Sequence, residues 1–141
     1  INAVTTEFSD LKETEALVFM GHGTTHQVNT VYAGLDQKFK ESAHANVFIG
    51  TVEADPTIHN LIKEVTSFQP SKIYVTPFMP LMIVAGDHAH NDMAGDSPDS
   101  WVCQFENAGF EVCPIIKGLG EYPGIRRMYV EHAQKAIDSM K

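Results

Sequence analysis

Short apolar runs alternate along the chain with longer stretches whose apolar residues recur every three or four positions. Ala16-Leu17-Val18-Phe19-Met20 and Asn46 to Val52 are runs of the first kind, and Lys72-Ile73-Tyr74-Val75-Thr76-Pro77 is the most strand-like segment of all. Continuous apolar runs of this length mark strands buried on both faces. Between them, Val28, Val31, Tyr32, Leu35 and Phe39 fall at helical spacing within 26–41, and Ile58, Leu61, Ile62 and Val65 do so further on. Asp55 followed by Pro56 predicts an N-cap and a first helical residue. Ser97-Pro98-Asp99-Ser100 repeats that signal before a helix carrying Trp101, Val102 and Phe105, which should stop near Gly109. Glu111 to Ile116 predicts a fourth strand, at an edge because Pro114 cannot donate to a ladder. Pro123 opens a last helix with Ile125, Met128, Tyr129, His132, Ala133, Ala136 and Ile137 on one side.

Strands alternating with helices imply a parallel sheet with right-handed crossovers. The predicted fold is α/β, a three-layer sandwich around a four-stranded parallel sheet. Residues 1–15 hold few apolar side chains among Thr5, Thr6, Ser9, Asp10 and Glu13 and read as a linker or connecting helix, which leaves 16–141 as the domain.

At 141 residues the chain is long enough for one domain with a real core. Its net charge of −8 argues against a general nucleic-acid binder, which needs a basic face, and suits a cationic ligand such as a metal ion. No apolar run approaches the roughly 20 residues of a membrane span. No basic-plus-apolar signal peptide stands at the start, although the chain opens on Ile1, as a processed or excised piece would. Cys103 and Cys113 are the only cysteines; their spacing is no zinc motif, and they read as reduced thiols of a cytoplasmic protein.

The chemistry concentrates after the third predicted strand, where Asp87, His88, His90 and Asp92 fall within six positions. Ligands of open parallel sheets bind beyond the carboxyl ends of the strands. The residues just past the first three are His22, Glu53 and His88. Two imidazoles and a carboxylate on one rim make an open metal site that suits Zn²⁺, Co²⁺, Ni²⁺ or Fe²⁺. Each residue alone also has an ordinary reading: a turn histidine, a solvated acid, an exposed loop histidine. Asp87, His90 and Asp92 are candidates for orienting the ligands or moving protons. His26, His44, His59 and His132 read as solvated or packed helix residues. Met79, Met82 and Met93 flank the site as core filler or as an apolar wall. The glycines of Gly21-His22-Gly23-Thr24-Thr25 lack the lysine of a phosphate loop, and no G-x-S-x-G elbow occurs.

Several of these segments, in order, resemble the class II tetrapyrrole metal chelatases. They are Val18-Phe19-Met20-Gly21-His22-Gly23, Gly50-Thr51-Val52-Glu53, Pro80-Leu81-Met82, Val84-Ala85-Gly86-Asp87-His88-Ala89 and Asn91-Asp92-Met93. With Asp99-Ser100-Trp101 and Gly118-Leu119-Gly120-Glu121, the set is similar to the C-terminal half of the anaerobic sirohydrochlorin cobaltochelatases of cobalamin biosynthesis. The resemblance implies a chelatase-like fold and ATP-independent insertion of Co²⁺ into sirohydrochlorin. It puts the metal-binding residues at His22, Glu53 and His88, and Pro80, Leu81 and Met82 against the macrocycle. It also implies a missing N-terminal half, or a second copy, to complete the cleft. The competing readings are a tetrapyrrole- or metal-binding module without turnover and a metal-dependent hydrolase.

Overall fold

The structure, a computed structural model, describes residues 1–78 and 84–140. Among the described residues, β1 (Glu15–Gly21), β2 (Val47–Thr51), β3 (Lys72–Pro77) and β4 (Val112–Pro114) form one sheet in the order β2-β1-β3-β4. All its pairings are parallel. Every residue of β1 and β2 is buried. A strand covered on both faces has no solvent side, so its sequence has no reason to alternate. Pro114 does lie on the edge strand, next to β3.

The helices α1 (Asn2–Thr5), α2 (Thr30–Glu41), α3 (Ile58–Phe68), α4 (Trp101–Asn107) and α5 (Pro123–Ser139) surround this sheet. Successive residues of β1 point to opposite faces. Ala16, Val18 and Met20 join Leu61 and Val65 of α3 and Trp101 and Phe105 of α4 on one side. Leu17 and Phe19 join Tyr32 and Phe39 of α2, with Val4 and Tyr122, on the other. The three layers are those the sequence predicts. Within 1–15, Val4 is buried, and Ile1, Phe8 and Leu11 pack against the same cluster.

Pro123 is the first residue of α5, as expected, and Gly109, at φ +94°, follows the end of α4. Two helix starts differ from expectation. The N-cap of α3 is Thr57, whose hydroxyl accepts from Asn60 N–H, and not Asp55. The carbonyls of Asp55 and Pro56 are taken by Asn29 Nδ2 (2.6 Å) and Thr51 N–H (2.7 Å), which ties this turn to the sheet before the helix starts. Likewise the N-cap of α4 is Ser100, accepting from Cys103 N–H, while Ser97 accepts from Asp99 N–H one turn earlier. The expected helix over 26–41 opens as a 3₁₀ turn at Gln27–Asn29, and Val28 and Val31 of its apolar stripe are exposed. Cys103 and Cys113 are free and half-buried. Among the described residues no helix is long and apolar enough to cross a membrane.

Candidate metal-handling site

His22 is the first residue past the central strand, and backbone pairing continues beyond the strand ends around it. Val52 N–H donates to Gly21 carbonyl (3.0 Å) and Glu53 N–H to His22 carbonyl (2.9 Å). Glu53 is therefore placed beside His22 by main-chain register and not by side-chain rotamer alone. On the other flank Phe78 N–H donates to Met20 carbonyl (2.8 Å).

The two glycines around His22 are needed for close approach. A Cβ on Gly21 would lie 2.3 Å from the Tyr32 ring. Gly23 takes φ +83°, and a Cβ there would meet Thr51 at 2.8 Å. A left-handed residue crowded on its Cβ side is best served by glycine.

His22 Nε2 lies 3.7 Å from Glu53 Oε1, and its Nδ1 lies 2.9 Å from Gly23 carbonyl. A carbonyl only accepts, so Nδ1 carries the hydrogen, and in the neutral ring Nε2 keeps a lone pair. His88 reaches the same arrangement by another route. The sequence predicts a loop here, but His88–Met93 form a single wide π-helical turn with Ala89 and Met93 buried beneath it. His88 and Asp92, four residues apart, share its outer face, and His88 Nδ1 donates to the Asp92 carboxylate. The carboxylate fixes the tautomer and makes the free Nε2 a better donor to a cation. The His22 and His88 rings stand edge to face with centroids 4.8 Å apart.

A nitrogen lone pair and a carboxylate oxygen facing each other with no donor between them repel unless a proton or a cation enters. Two ligands about 2.1 Å from one tetrahedral ion lie about 3.4 Å apart, close to the 3.7 Å separating His22 from Glu53. The side chains of His22, Glu53 and His88 are 42%, 55% and 30% exposed, so the rim is open to an incoming ion. Among the described residues no three His, Cys, Asp or Glu side chains close around a single point. The arrangement is a gathering of donors, not a preformed cage.

Of the sequence candidates, His22, Glu53, His88 and Asp92 come together, whereas Asp87 and His90 are exposed and make no side-chain hydrogen bond among the described residues. His26 caps the 3₁₀ turn by accepting from Val28 N–H, and His44 packs edge-on against Phe39. Pro80, Leu81 and Met82 lie outside the described residues. Sequence reasoning missed an open groove of about 880 Å³ that runs from Glu53 past Thr24, Thr25, Asn29, Asn60 and Lys63. The Thr-Thr pair after Gly23 was its one visible signal; Lys63 reads as an ordinary solvated helix residue.

A family model described as cobalt chelatase (CbiK) matches residues 1–138. The chain is 40% identical over 138 residues to the sirohydrochlorin cobaltochelatase of Salmonella typhimurium, a match covering 98% of this chain and 51% of that protein. It is 33% identical over 129 residues to the sirohydrochlorin cobaltochelatase CbiKC of Nitratidesulfovibrio vulgaris, covering 92% of this chain and 44% of that one. The chain thus spans about half the length of the curated relatives it matches. Among solved structures it is similar to a chain from Marinobacter aquaeolei VT8 described as a cobalamin (vitamin B12) biosynthesis CbiX protein. That match has a TM-score of 0.66 at 17% identity and covers 89% of this chain and 98% of that one, which shows the shared fold.

Proposed function

The chain belongs to the cobalt chelatase (CbiK) family, and from that premise we propose that it carries the metal-handling half of a sirohydrochlorin cobaltochelatase. Its reaction is insertion of Co²⁺ into sirohydrochlorin without ATP, with the macrocycle presented to the rim of His22, Glu53 and His88. Sirohydrochlorin and Co²⁺ are both substrates in this reading; Ni²⁺, Fe²⁺ and Zn²⁺ fit the same donors. The observation that supports it most is the pairing of two histidines edge to face, each with Nδ1 engaged by an acceptor, with the Glu53 carboxylate beside His22.

Metalation removes two pyrrole N–H protons and strips water from the ion. His22 and His88 hold the ion through Nε2 while Glu53 supplies a charged oxygen. An incomplete His₂Glu set releases an ion more readily than a closed thiolate site. When the ion passes to the ring, the Nε2 lone pair of His22 is free to accept each pyrrole proton in turn. Glu53, 3.7 Å away and half exposed, passes that proton to water. Asp92 keeps His88 in the tautomer that faces the ion. The carboxylates of the macrocycle need hydrogen-bond donors, and the groove beyond Glu53 offers Thr24, Thr25, Asn60 and Lys63. The two free thiols suit a cytoplasmic setting. A second α/β unit, either the N-terminal half of a longer protein or another copy, completes the cleft.

The test follows the absorbance of sirohydrochlorin with Co²⁺ and the protein, beside His88→Ala. Accelerated insertion that the substitution abolishes supports the reading. A tetrapyrrole band shift without insertion indicates a binding module. Loss of neither Co²⁺ binding nor insertion in His88→Ala overturns the site.

A further inference from the structure

The backbone behind His22 is held by a side chain outside the ligand set. His22 Nδ1 donates to the Gly23 carbonyl, which belongs to the 23–24 peptide. Gly23 stands at φ +83°, and a glycine leaves the peptide that follows it unusually free to rotate. The Tyr32 hydroxyl accepts from Gly23 N–H (3.4 Å), which steadies the 22–23 peptide but not the next one. Another group must aim the Gly23 carbonyl at the imidazole. The N–H on the opposite edge of that peptide, from Thr24, donates to Asn29 Oδ1 (3.0 Å). The other arm of the Asn29 carboxamide donates through Nδ2 to the Asp55 carbonyl (2.6 Å), in the turn that follows Glu53. The Thr51 hydroxyl grips the same turn by accepting from Ala54 N–H (3.2 Å).

We propose that Asn29 is a positioning residue for the metal-handling pair, its one carboxamide orienting the peptide behind His22 and tethering the turn behind Glu53. The assignment rests on the reading of His22 and Glu53 as ligands and adds the part that sets their spacing. Three observations carry it. Thr24 presents a donor and Asp55 an acceptor, so the bridge needs an acceptor and a donor held in one rigid plane. A carboxamide has both, whereas a carboxylate only accepts. Asn29 also stands at the N-cap of α2, where asparagine ordinarily accepts from an N–H of the helix's own first turn. Its side chain makes no such bond, and its oxygen is turned to the 23–24 peptide instead. Finally, the bridge closes a ring of bonds. Glu53 N–H donates to the His22 carbonyl (2.9 Å) on one side, and Asn29 joins Thr24 to Asp55 on the other. A single attachment leaves a hinge, while two fix an orientation, and this frame sets the 3.7 Å between His22 Nε2 and Glu53 Oε1. The frame also decides which face of the imidazole meets the ion. While the Gly23 carbonyl faces Nδ1, the hydrogen stays there and Nε2 is bare. Once that carbonyl turns away, the neutral ring is free to carry its hydrogen on Nε2 and so cover the ligand atom.

The test reads the His22 ring in the full chain, with no metal added, by long-range proton–nitrogen correlation at about pH 8, where imidazole is neutral. The native chain should carry the ring hydrogen on Nδ1. Asn29→Ala should move a large share of it to Nε2. Asn29→Asp keeps the acceptor for Thr24 N–H and loses the donor to Asp55, so it should keep the hydrogen on Nδ1. A residue that only starts α2 would leave the ring unchanged in both variants. Hydrogen exchange on the native chain keeps the test independent of how the variants fold. The Thr24 amide should exchange at least about tenfold more slowly than that of its neighbour Thr25. Co²⁺ affinity, followed by the visible absorption of the bound ion, should fall about tenfold or more in Asn29→Ala, in the range for lost outer partners. An unchanged ring in Asn29→Ala overturns the proposal, as does an Asn29→Asp ring that shifts as far as that of Asn29→Ala. Fast exchange of the native Thr24 amide overturns it too. A native chain that binds no Co²⁺ overturns the ligand reading instead, and the ring and exchange readouts still decide what Asn29 holds.

Discussion

The rim around His22 and helix α5 are both plain in the sequence, but the fold treats them differently. At the rim every chemical group is held from behind: Glu53 by its N–H on His22 carbonyl, His22 by the packed Gly21 and Gly23, His88 by Asp92. Along α5 an apolar face equally clear in pattern stays exposed past its first turn, and no residue of the helix is buried. A pattern of side chains says which face avoids water and which atoms gather. It does not say whether the same chain supplies what covers that face. The rim is backed from within, and the apolar face of α5 is left open.

The widest separation between the two regions is in activity. On the proposed function, His88→Ala should lower cobalt insertion by about a thousandfold, within the range of a lost catalytic base or ligand, and an assay of insertion reads it. Because His88 is part exposed on a surface turn, its removal should move stability by no more than about 0.5 kcal/mol. A large loss of stability would mean that the rim is held together by its own ligands and not from behind.

Next in size is a stability effect. Gly21→Ala must push Tyr32, whose ring lies 2.3 Å from the new Cβ. Overpacking of this kind costs about 2 kcal/mol, seen as a lower thermal midpoint. Val130→Ala on α5, at 68% exposure, should change the unfolding of the single chain by less than about 0.5 kcal/mol. Equal effects at the two sites would erase the distinction between a backed and an unbacked region.

The same distinction explains how much the sequence discloses. The strands and the gathering of His22, Glu53 and His88 were legible because parallel strands deliver their next residues to one rim, whatever the details of each loop. The N-caps at Thr57 and Ser100 were not, because each segment offers two oxygen acceptors around a proline. Tertiary bonds from Asn29 and Thr51 decide the first case. The turn at His88–Met93 was read as a loop since its polar residues hide a period that only Ala89 and Met93, buried beneath, reveal. For α5 the stripe was legible, but not that the fold would leave it exposed.

Asp92→Asn tests how firmly the rim is backed. Asparagine can still accept from His88 Nδ1 but brings no charge, so His88 keeps its orientation and loses the charged partner behind its ring. Insertion should fall about tenfold, at the lower end of the range for such outer partners, with Co²⁺ affinity falling in step. No change would mean that Asp92 only positions the turn.

The smallest effect belongs to the residue where the two regions meet. Tyr122 is fully buried in the second core cluster and is also the N-cap of α5. Its hydroxyl and that of Thr76 are both buried without a hydrogen-bond partner. Burial raises the phenol pKa above its usual value of 10.0, against smaller opposing pulls from the neighbouring Thr76 hydroxyl and the Lys117 ammonium. In the unfolded chain the phenol ionises near 10, while in the folded chain it holds its proton to higher pH. This favours the folded state below pH 10 relative to more alkaline conditions, and that advantage is lost as pH rises through the folded value. Tyr122→Phe keeps the ring and removes the unpaired hydroxyl, so stability at neutral pH should shift by less than about 1 kcal/mol, in either direction. Denaturant unfolding as a function of pH should then show a shallower alkaline decline than in the native chain. An unchanged decline would mean that the hydroxyl already finds a partner, and that the junction between body and helix is better satisfied than either region beside it.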